Sequence, residues 1–314
     1  MFKQNTLVAG PTQVIPADSK WVEGISSHQS VSKVASRVLG TRLKAICHWL
    51  PLAAEKSDED VEHVHQLRIS VRRAVEAARV FSGLIDEAKY DELREKLQRI
   101  RLAADEARNW DVVCERFLRC ADGIPAEILE KVKARRREVQ GPIVAIYQEY
   151  KTEAYGETFE KLVQDVESHG YGEGKRRFGR QAHKYLRPVA KKFFKAAQAE
   201  LTADASLHAL RIRTKKLRYT MEIVAVAFDS GFRKNLYAQV TLFQNLLGTV
   251  NDHATAKSLF RDWLPKSDSG EQKAFLEGLL LAEERASDDL RAGFLATWTP
   301  KVVCDLERQF RVYH

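Results

Sequence analysis

The chain has 314 residues, 44% hydrophobic and 30% charged, a balance that excludes a disordered polymer and suits a folded protein with a large core. Eight prolines and sixteen glycines are too few for the frequent turns of a β-rich fold, so helices are expected. Lys and Arg number 51 against 43 Asp and Glu, a net charge of +8, and the four scattered cysteines form no C-x-x-C pair, which argues against a disulfide framework or a zinc site. No run of eighteen apolar residues is present to span a membrane. Met1–Ser19 shows no basic segment leading into an apolar run, so no signal peptide and a cytoplasmic protein are expected.

In chain order, residues 1–29 read as an irregular leader containing Gly10, Pro11 and Pro16. From Ser30 the apolar spacing becomes helical. Leu67, Val71, Ala74, Ala78 and Phe81 recur at steps of four, three, four and three, one face of a helix. Leu93, Leu97, Ile100 and Ala104 repeat the pattern, as do Leu236, Val240, Phe243 and Leu247. Helix breaks are expected at Ser82–Gly83, Asp122–Pro125, Gly141–Pro142, His169–Gly174, Ser230–Gly231 and Pro265–Gly270. No alternation bounded by hairpin turns is found, and the fold class read from the chain is all-α.

A shift of 143 residues lays Val64–Arg73 (VHQLRISVRR) on Leu207–Lys216 (LHALRIRTKK). His65, Leu67, Arg68 and Ile69 match His208, Leu210, Arg211 and Ile212, and the same register pairs Leu93 with Leu236, Asn109 with Asp252 and Phe117 with Phe260. An internal duplication follows, with halves at 30–168 and 169–314 expected to be related by a pseudo-two-fold axis.

Basic residues concentrate between Lys175 and Tyr219, with fourteen Lys/Arg against only Glu200 and Asp204. Such a segment is either a solvated face or a surface for an anionic partner. Arg176, Arg180, His183, Arg187 and Lys191 fall at steps of four, three, four and four, a stripe roughly 22 Å long at 1.5 Å per residue. Their counterparts in the first half are Lys33, Arg37, Gly40, Lys44 and His48. Pro188 is expected to kink the second stripe or to mark a helix start that would split it. A further stripe is His65, Arg68 and Arg72, repeated as His208, Arg211, Lys215 and Arg218. Like charges at these steps repel. Asp111, Asp252 and Glu222 can pair with some of the arginines but are too few to neutralise every stripe, which favours a bound polyanion. Guanidinium forks that hold two phosphate oxygens, mixed with mobile ammonium groups, suit a polymer charged at every unit, and such binding weakens steeply with salt.

Other constellations are weaker. His63 and His65 face apart on a helix and have no ligand set around them, so no metal is expected. Asn251-Asp252-His253 offers a candidate acid, but Asp252 is better read as ordering arginines across a helix pair. No phosphate-binding glycine loop or paired carboxylates appear; no cofactor and no enzymatic activity are expected. Base stacking would need exposed aromatics, whereas Phe193, Phe194 and the five tryptophans have the spacing of core residues.

VHQLRISVRR and LHALRIRTKKLRY resemble the two signature segments of the CHAD family, named for a conserved histidine α-helical domain, while LLGTVNDHATA (246–256) and ARNWDVV (107–113) resemble its later segments. The resemblance covers Ser30 to the C-terminus. It implies two antiparallel four-helix bundles enclosing a basic groove or cavity that binds inorganic polyphosphate, a non-catalytic module associated with polyphosphate granules. The residues it carries over are His65, Arg68, Arg72, Arg73, His208, Arg211, Lys215, Lys216 and Arg218; the stripes Lys33–Lys44 and Arg176–Lys191 come from spacing. No CYTH domain with its E-x-E-x-K start is present, which implies a free-standing CHAD protein. Sequence-independent RNA or DNA binding by the same stripes is the alternative reading. Where the family often has basic residues, the first half has Glu76, and Val75 stands opposite Arg218 of the second half; Asn109 replaces an acid. The second half, Arg176–Arg218, is therefore expected to supply more of the affinity. The matched histidines are expected to be favoured in the charged form beside a polyanion, strengthening binding toward pH 6.

Overall fold

The computed structural model describes residues 19–119, 123–169, 172–267 and 269–313. The leader's Gly10, Pro11 and Pro16, and Cys120, lie outside these residues. Among the described residues the chain is helical throughout, with a lone bridge between Ser30 and Arg177 and no strand. Ten α-helices form two runs of five. The first is α1 (Val31–Glu55), α2 (Glu62–Val80), α3 (Glu87–Arg119), α4 (Ala126–Thr152) and α5 (Tyr155–Glu167). The second is α6 (Phe178–Ala197), α7 (Asp204–Val224), α8 (Tyr237–Trp263), α9 (Gly270–Thr297) and α10 (Pro300–Arg311). Moved by 143 residues, α2 covers 205–223 and α4 covers 269–295, so the order and length of the elements repeat at the sequence offset. Each half carries four long helices and a short fifth.

Local chemistry sets the helix ends. The Ser30 hydroxyl accepts the Lys33 amide at the start of α1, Ser269 does so for Gln272 in α9, and Thr299 for Val302 in α10, where Pro300 occupies the first turn. One expected break is absent: α4 runs straight through Gly141–Pro142. An interior proline costs about 3 kcal/mol, but ending the helix would pull Ile143 and Ile146 off a buried face shared with Val132 and Val139, at about 1.5–3 kcal/mol for each side chain. Pro188 likewise sits inside an unbroken α6, where Leu186, Val189, Ala190 and Phe193 hold the buried face on both sides of it.

The apolar faces read from spacing are the ones that pack. Leu67, Val71, Ala74 and Ala78 of α2 and Phe81 just after it are buried, as are Leu93, Leu97, Ile100 and Ala104 of α3 and Leu236, Val240, Phe243 and Leu247 of the second half. Consecutive helices pack in each half, α1 on α2, α2 on α3 and α3 on α4, and correspondingly α6 on α7, α7 on α8 and α8 on α9. The halves meet where the Ser30–Arg177 bridge brings α1 to α6, and at two further places. At one, α2 lies on α7. At the other, a separate apolar cluster joins Trp110, Val113 and Phe117 of α3 to Phe260 of α8 and Leu276 of α9. Phe117 and Phe260, equivalent under the repeat, stand edge to face with centroids 5.5 Å apart, a geometry worth about 0.5–1.5 kcal/mol beyond its buried area. No helix among the described residues is long and apolar enough to cross a membrane.

Candidate functional site

Where α2 lies on α7, two polar layers form. The deeper one is a closed network around carboxylates. Arg73 Nε donates to Glu222 Oε2 at 2.9 Å, and Arg218 donates to Glu222 Oε1 at 2.9 Å and to Gln244 Oε1 at 2.5 Å, with its guanidinium 4.4 Å from the Tyr219 ring centre. Thr220 donates its hydroxyl to Glu76 Oε1 at 2.5 Å, and Arg79 Nη2 donates to the same oxygen at 2.5 Å. Arg42, only 1% exposed, donates from its fork to the carbonyls of Ser19 (2.7 Å) and Lys20 (2.8 Å), fastening the chain before α1 to the bundle. Burial, with Arg73 beside it, pushes this guanidinium down to about 10, and Glu222 offsets part of the shift. Arg73 and Arg218, expected to face a ligand, thus hold Glu222 between the halves. A buried carboxylate needs paired cations.

The shallower layer opens into a cavity of about 700 Å³ lined by Arg68, Arg72, Asp105, His208, Arg211 and Asp252, among others. The four helices that wall it come from both halves: α2 and α3, α7 and α8. Arg68 Nε donates to Asp105 Oδ1 at 2.7 Å, and Arg72 Nη2 donates to the same oxygen at 2.6 Å. Burial works to raise the Asp105 carboxyl, but Arg72 and Arg68 overcome it and hold the group below its ordinary range. Arg211 is more loosely held. Its Nη2 lies 3.8 Å from Asp252 Oδ1, and its Nε is buried with no acceptor. Burial pushes Arg211 below its usual range; Asp252 opposes the shift, and Arg68 and Arg72 add to it.

Lys215, one turn beyond Arg211, forms no ion pair among the described residues. Burial, followed by Arg72, Arg211 and Arg68, pushes its ammonium down to about 6, and Asp105 offsets only part of this. Three arginines thus line the cavity with three carboxylates, Asp105, Asp252 and Asp204, the last committed to Arg291 at 2.6 Å, while Lys215 stands beside the arginines with no acid paired to it among the described residues. Asp105 was not recognised from the sequence. Its repeat partner is Gly248, so the comparison of halves that found the cations could not find it. Arg42 did leave a signal, a charge at the buried spacing of Leu39, Leu43 and Ile46.

The matched histidines part company. His208 lines the cavity, its Nδ1 donating to Asn251 Oδ1 at 3.1 Å. His65 is half-buried with Nδ1 lacking a partner; burial pushes the imidazole down, Glu62 opposes this, and Arg108 and Arg68 add to it. Lys216 is exposed. The remaining stripes lie elsewhere. Lys33, Arg37 and Lys44 line a separate groove of about 750 Å³ between α1 and α5, whose other wall carries Glu160 and Glu167. Arg37 is partly committed there, donating from Nε to the Glu23 carbonyl at 3.2 Å. Arg176 precedes α6, while Arg180, His183, Arg187 and Lys191 lie exposed on its outer side. The structure thus divides the predicted site into a central cavity, a groove and an outer ridge. Among the interleaved acids, Glu222 and Asp252 meet arginines as expected, and Asp111 accepts from Arg136 Nε at 2.8 Å. Among the described residues no three His, Cys, Asp or Glu side chains group as a metal site.

Residues 37–261 match the family model described as the CHAD domain. The fold is similar to that of the CHAD domain from the plant Ricinus communis, at 22% identity and a TM-score of 0.67, covering 88% of this chain and 96% of that one. It is also similar to PptA from Streptomyces chartreusis, at 14% identity and a TM-score of 0.57, covering 86% of this chain and 99% of that one. No curated protein matches the sequence significantly.

Proposed function

The chain belongs to the CHAD domain family, and on that premise we propose that the cavity between α2 and α7 binds inorganic polyphosphate. One observation carries this reading: Arg68, Arg72 and Arg211 line one cavity with Lys215 beside them, and the Arg211 Nε donor there has no acceptor. A phosphate polymer supplies an oxygen for that donor and the counter-charge that lets Lys215 hold its proton, without any side chain to be read. The groups that surround the chain hold it rather than cleave it. Asp105, the carboxylate nearest the cations, is kept below its usual range and is a poor proton acceptor. We therefore read the protein as a binding module, placed by this contact on polyphosphate granules of the cytoplasm.

Calorimetry with long-chain polyphosphate tests the reading. Tight binding is expected at low salt, with weak binding of pyrophosphate and a linear fall of log K with log salt. Arg211→Gln with Lys215→Gln is expected to weaken binding about 100-fold, two charged hydrogen bonds at about 1.5 kcal/mol each, the low end of their range. No binding of the long chain at low salt, or unchanged affinity in the double variant, would overturn the proposal.

A further inference from the structure

The outer side of α6 is a second basic surface, separate from the cavity. Between Lys175 and Lys195 the chain has nine Lys/Arg and no acid; the aligned segment of the first half, 32–52, has four, one of them the buried Arg42. Arg180, Lys184, Arg187, Lys191 and Lys195 fall within an arc of about 80° at 100° per residue, a ridge of roughly 22 Å. All five are exposed, and none forms an ion pair among the described residues. None of them lines the cavity.

We propose that this ridge is a docking surface for duplex nucleic acid, held through its phosphate backbone without regard to sequence. Three features select that partner. The apolar side of α6 is consumed by the core, with Phe178, Leu186 and Phe193 fully buried, so nothing is left to enter a lipid surface as a membrane-lying helix requires. No aromatic stands free among the cations: Phe194 is buried against Phe310, and Tyr185 donates to Glu173 at 2.6 Å. That removes the stacking on which single strands depend. Finally, the ridge runs along one unbroken helix. A flexible polymer loses conformational freedom by lying along it, whereas a duplex is already ordered. About 22 Å of duplex axis presents one charge per roughly 1.7 Å.

The probe is a labelled 20-base-pair DNA duplex followed by fluorescence anisotropy on the full chain. Five phosphate contacts predict a slope of log K against log salt of about −4.5, or roughly a 500-fold loss between 50 and 200 mM salt. Replacing Arg180, Lys184, Arg187 and Lys191 by Gln is expected to bring the slope to about −1 and to abolish binding at 200 mM salt, with the circular dichroism unchanged because these side chains carry no ion pairs. Arg211→Gln with Lys215→Gln keeps the ridge and is expected to leave duplex binding intact, so failure of this inference is seen separately from failure of the cavity reading. Unaltered duplex binding by the four-fold variant would overturn the proposal. So would tight binding to phosphatidylserine vesicles by a chain that ignores the duplex.

Discussion

The first half of the molecule sets a carboxylate between its two cavity arginines, and the second half sets a glycine at the same place. Asp105 accepts from Arg68 and Arg72, whereas its equivalent Gly248 leaves Arg211 and Lys215 to an exposed Asp252 that reaches only Arg211, at 3.8 Å. The duplicated residues are the cations; the residues that differ are the acids. What the difference teaches is that the repeat builds the cavity, while the departures from the repeat decide which wall of it is uncompensated.

The sharpest break of this comparison removes the charges of one wall at a time. Losing Arg211 and Lys215 together is expected to weaken polyphosphate binding about 100-fold. On the other wall the matching experiment must take the acid with its partners, since Asp105 alone would be left as a bare repulsive carboxylate. Arg68→Gln, Arg72→Gln and Asp105→Asn in one chain remove a single net charge, and about a 10-fold loss is expected, one charged contact by the same scale. Equal losses in isothermal titrations of the two variants would show that Asp105 does not set the asymmetry.

The next experiment transplants the acid. A Cβ built on Gly248 meets nothing within 4 Å, so Gly248→Asp fits the helix and gives the second half the carboxylate of the first. Binding is expected to fall about 10-fold as Arg211 and Lys215 acquire a counter-charge, one charged contact being worth that much. Asp105→Asn should do the reverse, raising affinity while lowering the melting temperature, because Arg68 and Arg72 lose the group that lets them approach. A Gly248→Asp chain that binds as the parent does would mean that Lys215 lies outside ligand reach.

How far the sequence could lead follows from the same residues. Helix positions, the buried face of α2 and the repeat were legible because each rests on periodicity, which packing obeys. The break expected at Gly141–Pro142 failed because tertiary burial of Ile143 and Ile146 overrides a local proline signal. The cations of the cavity were legible from spacing and repetition. Their division was not. Arg73 and Arg218 look like Arg68 and Arg211 along the chain, and only the folded structure shows that they turn inward to Glu222. The stripes on α1 and α6 share a helical face by spacing, yet spacing within one helix says nothing about which neighbour that face meets.

A smaller effect separates the two walls by pH. Lys215, pushed down to about 6 in the free protein, has to gain a proton when a polyanion arrives, whereas its equivalent Arg72 is an arginine already held by Asp105. Affinity is therefore expected to be flat below pH 6 and to fall above it by at most tenfold per unit, and Lys215→Met should flatten that slope. Stability of the free chain moves the opposite way. Between about pH 6 and the ordinary lysine value of about 10.4, the unfolded chain binds more protons than the folded one, so this residue's contribution to stability grows as pH rises through that window. Proton uptake measured at pH 7 in buffers of different ionisation enthalpy reads the first effect directly.

The least of the expected effects distinguishes the two histidines that the repeat makes equivalent. His208 lines the cavity and His65 does not, and burial keeps His65 below its usual range. In the Lys215→Met background His208→Ala is then expected to weaken polyphosphate binding about two-fold, the loss of one hydrogen-bonding group from the cavity wall. It should do so without altering the melting temperature. His65→Ala should leave the affinity alone and lower the melting temperature, because a half-buried ring between α2 and its neighbours is lost. If the two substitutions exchanged these outcomes, the asymmetry would lie in the acids of the cavity alone, and the matched histidines would have to be read the other way round.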